Sequence, residues 1–271
     1  MFEIKNNYHT HTYRCGHAIG TDEEYVLAAI EKGFKEIGFS DHIFLPNMNQ
    51  EGMRGNYEEL DGYLSSLKSL REKYKDKIKI YIGFEAEWYK DYYKDYYKSL
   101  LRDKGVDYLI LGQHCTIIDN SLVWFSQFKY VDKALDCYRD YVIDGIRSGL
   151  FTYVCHPDYF FYFYPEWNEH TKDVSLQIIR EAKKYHLPLE INMGYDGCHK
   201  NVYLESESSH YPYPKFFELV RQENADCILG VDAHDPKRIL TADYQKFYHF
   251  IENHRLNVLD KATLVNPFRK D

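Results

Sequence analysis

A closed or nearly closed parallel α/β barrel is the fold class this sequence predicts, and three observations predict it. Short β-branched runs alternate with helical patterns along almost all of the 271 residues. No linker or low-complexity stretch interrupts the alternation. The polar residues able to carry chemistry fall at the C-terminal ends of the β runs, where barrel enzymes keep their sites. Seven strand-then-helix units in a chain of this length favour one barrel over two small domains, so residues 1–271 are expected to form a single domain.

The predicted strands are FEIKNNYH (2–9), FKEIGFSDH (34–42), IKIYIGFE (78–85), DYLILGQH (107–114), FTYVCHPD (151–158), LPLEINMG (187–194) and DCILGVDAH (226–234). Between them the apolar spacing turns to the helical period. The first helix is TDEEYVLAAIEKG (21–33), capped by Thr21 or Asp22 and stopped at a glycine. Further helices are predicted over 57–74, 93–105, 131–149, 173–186, 214–225 and 243–254.

Composition bounds the function. A formal net charge of −8 argues against an extended nucleic-acid surface, which needs basic patches. No apolar run is long enough to cross a bilayer, and MFEIKNNYHT lacks the basic and apolar regions of a signal peptide, so a cytoplasmic protein with no membrane partner is expected. Cys15, Cys115, Cys137, Cys155, Cys198 and Cys227 are spread singly, which favours free thiols. The 27 tyrosines read as amphipathic surface with ring faces packed inward.

A lone strand histidine is more often a hydrogen-bonded structural residue than a ligand. His170, His186, His199, His210, His249 and His254 take that ordinary reading. The other seven cluster: His9, His11, His42, His114, His156 and His234 sit at strand ends, and His17 follows in the next loop. His9 and His11 are two apart, the strand period, so their rings leave one face and can share an ion. Asp232 and His234 in GVDAHDP repeat that spacing at the last strand. In GFEAEW, Glu85 and Glu87 share a face, and either could bridge ions. Imidazole with carboxylate suits Zn, Mn or Fe. Cys115 and Cys155, each adjacent to a ligand along a strand, should point away from His114 and His156.

With these residues in hand, the sequence resembles the PHP (polymerase and histidinol phosphatase) family, and most of all its stand-alone histidinol-phosphate phosphatases. HTHTYRCGH, GFSDH, GFEAEW, GQH, CHPD and GVDAH stand in family order over nearly the whole chain. The resemblance implies a distorted (β/α)7 barrel with three divalent metal ions at the strand ends. It implies one ion held by His9, His11, Glu85 and Asp232, a second by His17, His42 and His234, and a third by Glu85, His114 and His156.

Such a centre attracts a phosphate dianion despite the acidic chain and makes a nucleophile of water at neutral pH. The implied reaction is hydrolysis of L-histidinol phosphate to L-histidinol and phosphate, in histidine biosynthesis, by in-line attack of a metal-bridging hydroxide. Asp232, His234 and Glu85 are its catalytic ligands. Asp41, Asp158 and Asp235 are candidates to protonate the leaving oxygen, and for Asp41 and Asp158 support of the ligand imidazoles is the favoured role. Arg54 and Lys200, in the loops after the strands, are candidate phosphate clamps. A PHP phosphatase for another small phosphomonoester or for phosphotyrosine protein, an amidohydrolase-type metal hydrolase, and a silent metal-binding module are the competing readings.

Overall fold

The computed structural model describes residues 3–194 and 212–269. The chain opens with β1 (Asn6–Asn7), α1 (Asp22–Lys32), β2 (Glu36–His42), α2 (Leu60–Lys73), β3 (Lys79–Ala86), α3 (Lys90–Arg102) and β4 (Tyr108–Leu111). A hairpin of β5 (Cys115–Ile118) and β6 (Ser121–Trp124) follows, then α4 (Val131–Arg147) and α5 (Glu169–Lys184). The remainder is β7 (Leu189–Asn192), α6 (Pro214–Glu223), β8 (Asp226–Gly230), α7 (Pro236–Thr241), α8 (Tyr244–His254) and β9 (Asn257–Val258).

Local chemistry explains the boundaries. Thr21 caps α1: its hydroxyl accepts the Glu24 N–H, and Glu24 accepts the Thr21 N–H in return. Gly33, at φ 84°, ends that helix in the left-handed region. Helix α5 starts four residues before the predicted Asp173, because the Asn168 side chain accepts the N–H groups of His170 and Thr171. The hairpin has no counterpart among the predicted strands. Its turn is Asp119–Asn120, with φ of 49° and 59°, a two-residue reversal that Asp and Asn tolerate.

β1 to β4 pair in order, all parallel, and β7 pairs in parallel with β8. The predicted strand at 151–158 shrinks to a single pairing residue, Val154, which bridges Leu111 on one side and Leu189 on the other. A parallel bridge between Thr10, just past β1, and Ala233, just past β8, joins those two segments. The His11 N–H donates to the Ala233 carbonyl at 2.9 Å, and the Ala233 N–H to the His9 carbonyl at 3.2 Å. The ring of seven parallel segments is therefore closed, with the distortion concentrated at Val154.

Alternation along the strands makes two cores. Leu109 and Leu111 face the helices, while Tyr108 and Ile110 join Tyr8, Tyr153, Cys155 and Ile228 inside the barrel. The tyrosine reading needs correction here. Tyr8, Tyr25, Tyr63, Tyr89, Tyr97, Tyr108, Tyr138 and Tyr153 are fully buried rather than superficial. Burial is tolerable because most of their hydroxyls reach backbone carbonyls: Tyr63 donates to Gly83 at 2.9 Å, Tyr97 to Glu87 at 2.8 Å and Tyr89 to Cys115 at 3.0 Å.

Tyr108 fills the space left by two glycines, lying where a Cβ on Gly83 would come within 2.5 Å of its ring. Its hydroxyl donates to the Tyr8 carbonyl at 2.8 Å. Gly83→Ala is expected to cost about 1–3 kcal/mol of stability, the usual penalty for overpacking. A urea titration followed by circular dichroism checks this, and an unchanged midpoint would contradict the packing account. Among the described residues, no helix is long and apolar enough to cross a membrane.

Candidate metal centre

The strand ends deliver their polar side chains to one place. Glu85, at the end of β3 and buried, lies at its middle. Its Oε2 is 2.9 Å from His42 Nδ1, 3.4 Å from His11 Nε2 and 3.6 Å from His9 Nε2. Its Oε1 is 2.6 Å from His156 Nε2 and 3.4 Å from His114 Nε2. Asp232 Oδ1 stands opposite, 3.2 Å from His11 Nε2 and 3.4 Å from both His9 Nε2 and His234 Nδ1. The His17 ring stacks on His234 at 4.7 Å, and its Nδ1 donates to the Gly52 carbonyl at 3.1 Å. All nine residues named from the sequence thus lie in one cluster.

The donor atoms group in ways suited to cations. His9, His11 and Asp232 form one set, and His11, His42 and His234 another, each with ligand atoms within 4.8 Å of one another. His9, Glu85, Cys155 and His156 form a third on the same criterion, and Cys15 joins His17 and His234 in a further one. Two of these residues depart from ordinary strand geometry: His156 has φ 29° and Asp232 φ 51°. Left-handed backbone at non-glycine residues is strained, and such strain gathers at functional sites.

That irregularity corrects one expectation. Cys155 does not turn away from the site, because Val154 is an isolated bridge and pleated alternation does not continue through His156. Its thiol donates to Glu85 Oε1 at 3.3 Å. Cys115 lies on β5, buried, its sulfur accepting from Gln50 Nε2 at 3.6 Å. Cys15 is buried, with its sulfur accepting the Ala18 N–H at 3.2 Å.

Electrostatics follow burial and neighbours. Burial alone would raise the Glu85 carboxyl, but the imidazoles around it, that of His114 foremost, outweigh it and hold the group well below the usual carboxylate range. Burial opposes ionisation of Asp232 too, yet His9 and His11 keep it well below its ordinary value. Burial holds His42 and His234 well below theirs, favouring the neutral ring that can ligate.

A second layer fixes the first. Strand β7, where the sequence shows no ligand, contributes Glu190 and Asn192. Glu190 Oε1 accepts from His9 Nδ1 at 2.8 Å, which turns the Nε2 of that ring toward Asp232. The other Glu190 oxygen accepts the His156 N–H at 2.9 Å and the Asn192 amide at 2.8 Å, and the same amide reaches Asp232 Oδ2 at 3.2 Å. Gly230 makes the room: a Cβ there would fall 1.8 Å from Glu190 Oε1. The signal lies in LEIN, where two polar side chains share one face of an otherwise apolar strand.

Each of the acids beside the ligand motifs accepts from the protein through at least one oxygen. Asp41 accepts the Thr12 hydroxyl and the His42 N–H, and its Oδ1 lies 3.7 Å from His11 Nδ1. Asp158 is buried, accepts the Tyr213 N–H at 2.7 Å and is pushed up to about 7 by burial. Asp235 caps α7, accepting the Lys237 N–H at 2.9 Å. Lys200 lies outside the described residues.

Arg54 requires correction as a phosphate clamp. It is 2% exposed, and its guanidinium is consumed by the protein. Nη1 donates to Glu87 Oε2 and the Ile43 carbonyl, each at 3.0 Å, and Nη2 to Glu87 Oε1 and Gln50 Oε1, each at 2.9 Å. Nε donates to Gln50 Oε1 at 3.0 Å, so all five N–H groups are used. None remains for a phosphate.

Comparison with known proteins bears on what such a site is for. The PHP domain family model matches residues 7–194. A protein of Deinococcus radiodurans named "Probable histidinol-phosphatase" is 27% identical over 240 residues, covering 85% of this chain and 86% of its own. One of Schizosaccharomyces pombe with the same name is 22% identical over 254 residues, covering 85% and 81%. The crystal structure of histidinol phosphate phosphatase from Lactococcus lactis subsp. lactis, complexed with Zn, L-histidinol and phosphate, superposes with TM-score 0.69 at 19% identity over 98% of both chains.

Proposed function

Since this chain belongs to the PHP domain family, we propose that it is a metal-dependent phosphomonoesterase that hydrolyses L-histidinol phosphate to L-histidinol and phosphate. The observation that carries the reading is the convergence of seven imidazoles and two carboxylates on one point, with Glu85 touching five of the rings. The names of the two curated relatives and the ligands of the Lactococcus lactis structure support the substrate.

The residues fit divalent ions. Glu85 Oε2 and Asp232 Oδ1 are buried carboxylate oxygens that complete no well-formed hydrogen bond among the described residues, although imidazole nitrogens surround both, an arrangement that a cation shared with those nitrogens would satisfy. The proposed complement is three divalent ions of Zn, Mn or Fe, held by His9, His11, His17, His42, Glu85, His114, His156, Asp232 and His234. Bound there, they would offset phosphate charge and lower the pKa of water.

The chain supplies orientation. Glu190 presents the Nε2 of His9 to the cluster, and Glu85 stands between the His9–His11 pair and the His114–His156 pair. Tyr159 and Trp124 flank His114, with ring centroids 5.1 and 6.4 Å away, an aromatic side suited to the imidazole of histidinol.

Among the described residues, the thiols that lie against the cluster, Cys15 and Cys155, are pushed up by burial, which disfavours the thiolate that would take the phosphoryl group. Turnover in ¹⁸O-water should therefore put one solvent oxygen into phosphate; trapping of a phosphorylated side chain would contradict direct hydrolysis.

The substrate is tested by a phosphate-release screen of metal-reconstituted protein with histidinol phosphate, glycerol phosphate, phosphoserine and a phosphotyrosine peptide. Histidinol phosphate should lead in kcat/KM by ~10²-fold, the scale on which polar recognition separates substrates. Turnover of the others without histidinol phosphate would reject the substrate and keep the reaction class.

A further inference from the structure

We propose that Arg54, acting through Glu87, is a positioning residue for His114. Glu85 and Glu87 leave the same face of the chain two residues apart, yet they part company. Glu85 enters the imidazole cluster, whereas Glu87 is drawn aside by the bidentate ion pair with Arg54, at 2.9 and 3.0 Å. Both partners are almost wholly buried, at 2% and 1% exposure.

Glu87 has a second task. Its Oε1, already held by Arg54 Nη2, lies 3.3 Å from His114 Nδ1. A carboxylate can only accept, so Nδ1 carries the proton and Nε2 keeps its lone pair, on the side where Glu85 Oε1 stands 3.4 Å away. The chain of contacts therefore runs from Gln50 and the Ile43 carbonyl through Arg54 and Glu87 to the ring of His114.

Energetics decide between a bolt and a positioning device. A buried ion pair gains little over well-packed apolar side chains, so stability alone does not call for one here. An oriented acceptor for a ligand imidazole does, and a carboxylate buried in that place must have its charge met from the other side. Arg54 meets it with a planar fork whose remaining donors are anchored in the loop before Asn56, which leaves Glu87 no freedom to swing.

The inference rests on the reading that His114 holds a divalent ion, and the test separates the two. Three variants are compared with wild type in zinc binding by chelator competition: Arg54→Met, Arg54→Met/Glu87→Gln and Arg54→Met/Glu87→Ala, each checked for folding by circular dichroism. Both double variants lack the ion pair, but only glutamine keeps an acceptor for the His114 Nδ1–H.

The Gln double variant should hold its weakest zinc ~10-fold or more tighter than the Ala double variant, and Arg54→Met should lose ~10–100-fold, the usual range for groups that orient a ligand. Equal zinc affinity of the two double variants would overturn the proposal, and so would wild-type affinity in a folded Arg54→Met. If Arg54→Met does not fold, Arg54→Lys, which keeps the charge without the bidentate fork, takes its place, and wild-type zinc affinity in it would overturn the proposal. No zinc uptake by wild type would instead overturn the metal reading of the whole site.

Discussion

Glu85→Gln is expected to lower turnover of histidinol phosphate by ~10³-fold or more, with the fold retained. The size of the effect follows from position. Glu85 is the carboxylate that touches His9, His11 and His42 through one oxygen and His114 and His156 through the other. Glutamine keeps the volume, so the packing around this buried side chain should survive. It places an amide NH₂ where an acceptor stood, and that nitrogen cannot ligate. It also removes a negative charge that would offset cations bound between the two halves of the cluster. Phosphate release, zinc content and circular dichroism measured on one preparation check the result. Turnover within ~10-fold of wild type would show that Glu85 is not the shared ligand.

Gly112→Ala carries the next largest expected effect, and it reaches the site by sterics alone. Gly112 has no positive φ, so alanine suits its backbone. The trouble is space: a Cβ there would come within 2.1 Å of Glu85 Oε1 and 2.7 Å of Cys155 Sγ. The methyl group must therefore displace the carboxylate or the thiol beside it, and both face the imidazoles. Displacement of a catalytic group by ~1 Å costs on the order of 10²-fold in rate, so a drop of that size in kcat is expected, with weaker zinc binding. Cys155→Ala added to Gly112→Ala opens only one side of the clash and should not restore wild-type turnover. Unchanged kcat in Gly112→Ala would mean that the Glu85 carboxylate does not stand against the Gly112 backbone.

Much of the site is legible in the sequence, because the barrel displays its chemistry at fixed points. The period-two spacing of His9 with His11, and of Asp232 with His234, is enough by itself to put pairs of donors on common faces. The same spacing cannot choose between Glu85 and Glu87. That choice is made by Arg54, a residue more than thirty positions away along the chain, and long-range pairing leaves no trace in local periodicity. Arg54 resembles a phosphate clamp for the same reason. A loop arginine looks exposed until the carboxylate that consumes it is found.

Strand β7 is silent in the sequence because Glu190 and Asn192 hydrogen-bond to His9, His156 and Asp232 from behind rather than entering the imidazole cluster themselves. Cys155 defies its expected direction because pleated alternation does not run on through His156, where a φ of 29° breaks it. The β5–β6 hairpin is the element with the plainest unused signal, since Asp119–Asn120 is turn chemistry flanked by apolar runs. It matters to function, because it brings Trp124 to the side of His114.

The proposed hydrolysis depends on divalent cations gathered by these nine side chains. Elemental analysis of protein purified without added chelator, then assayed before and after exhaustive dialysis against a strong chelator, tests it most directly. About three divalent ions per chain are expected, with phosphate release lost on their removal and regained on adding zinc or manganese. Full activity in protein stripped of metal would contradict the account.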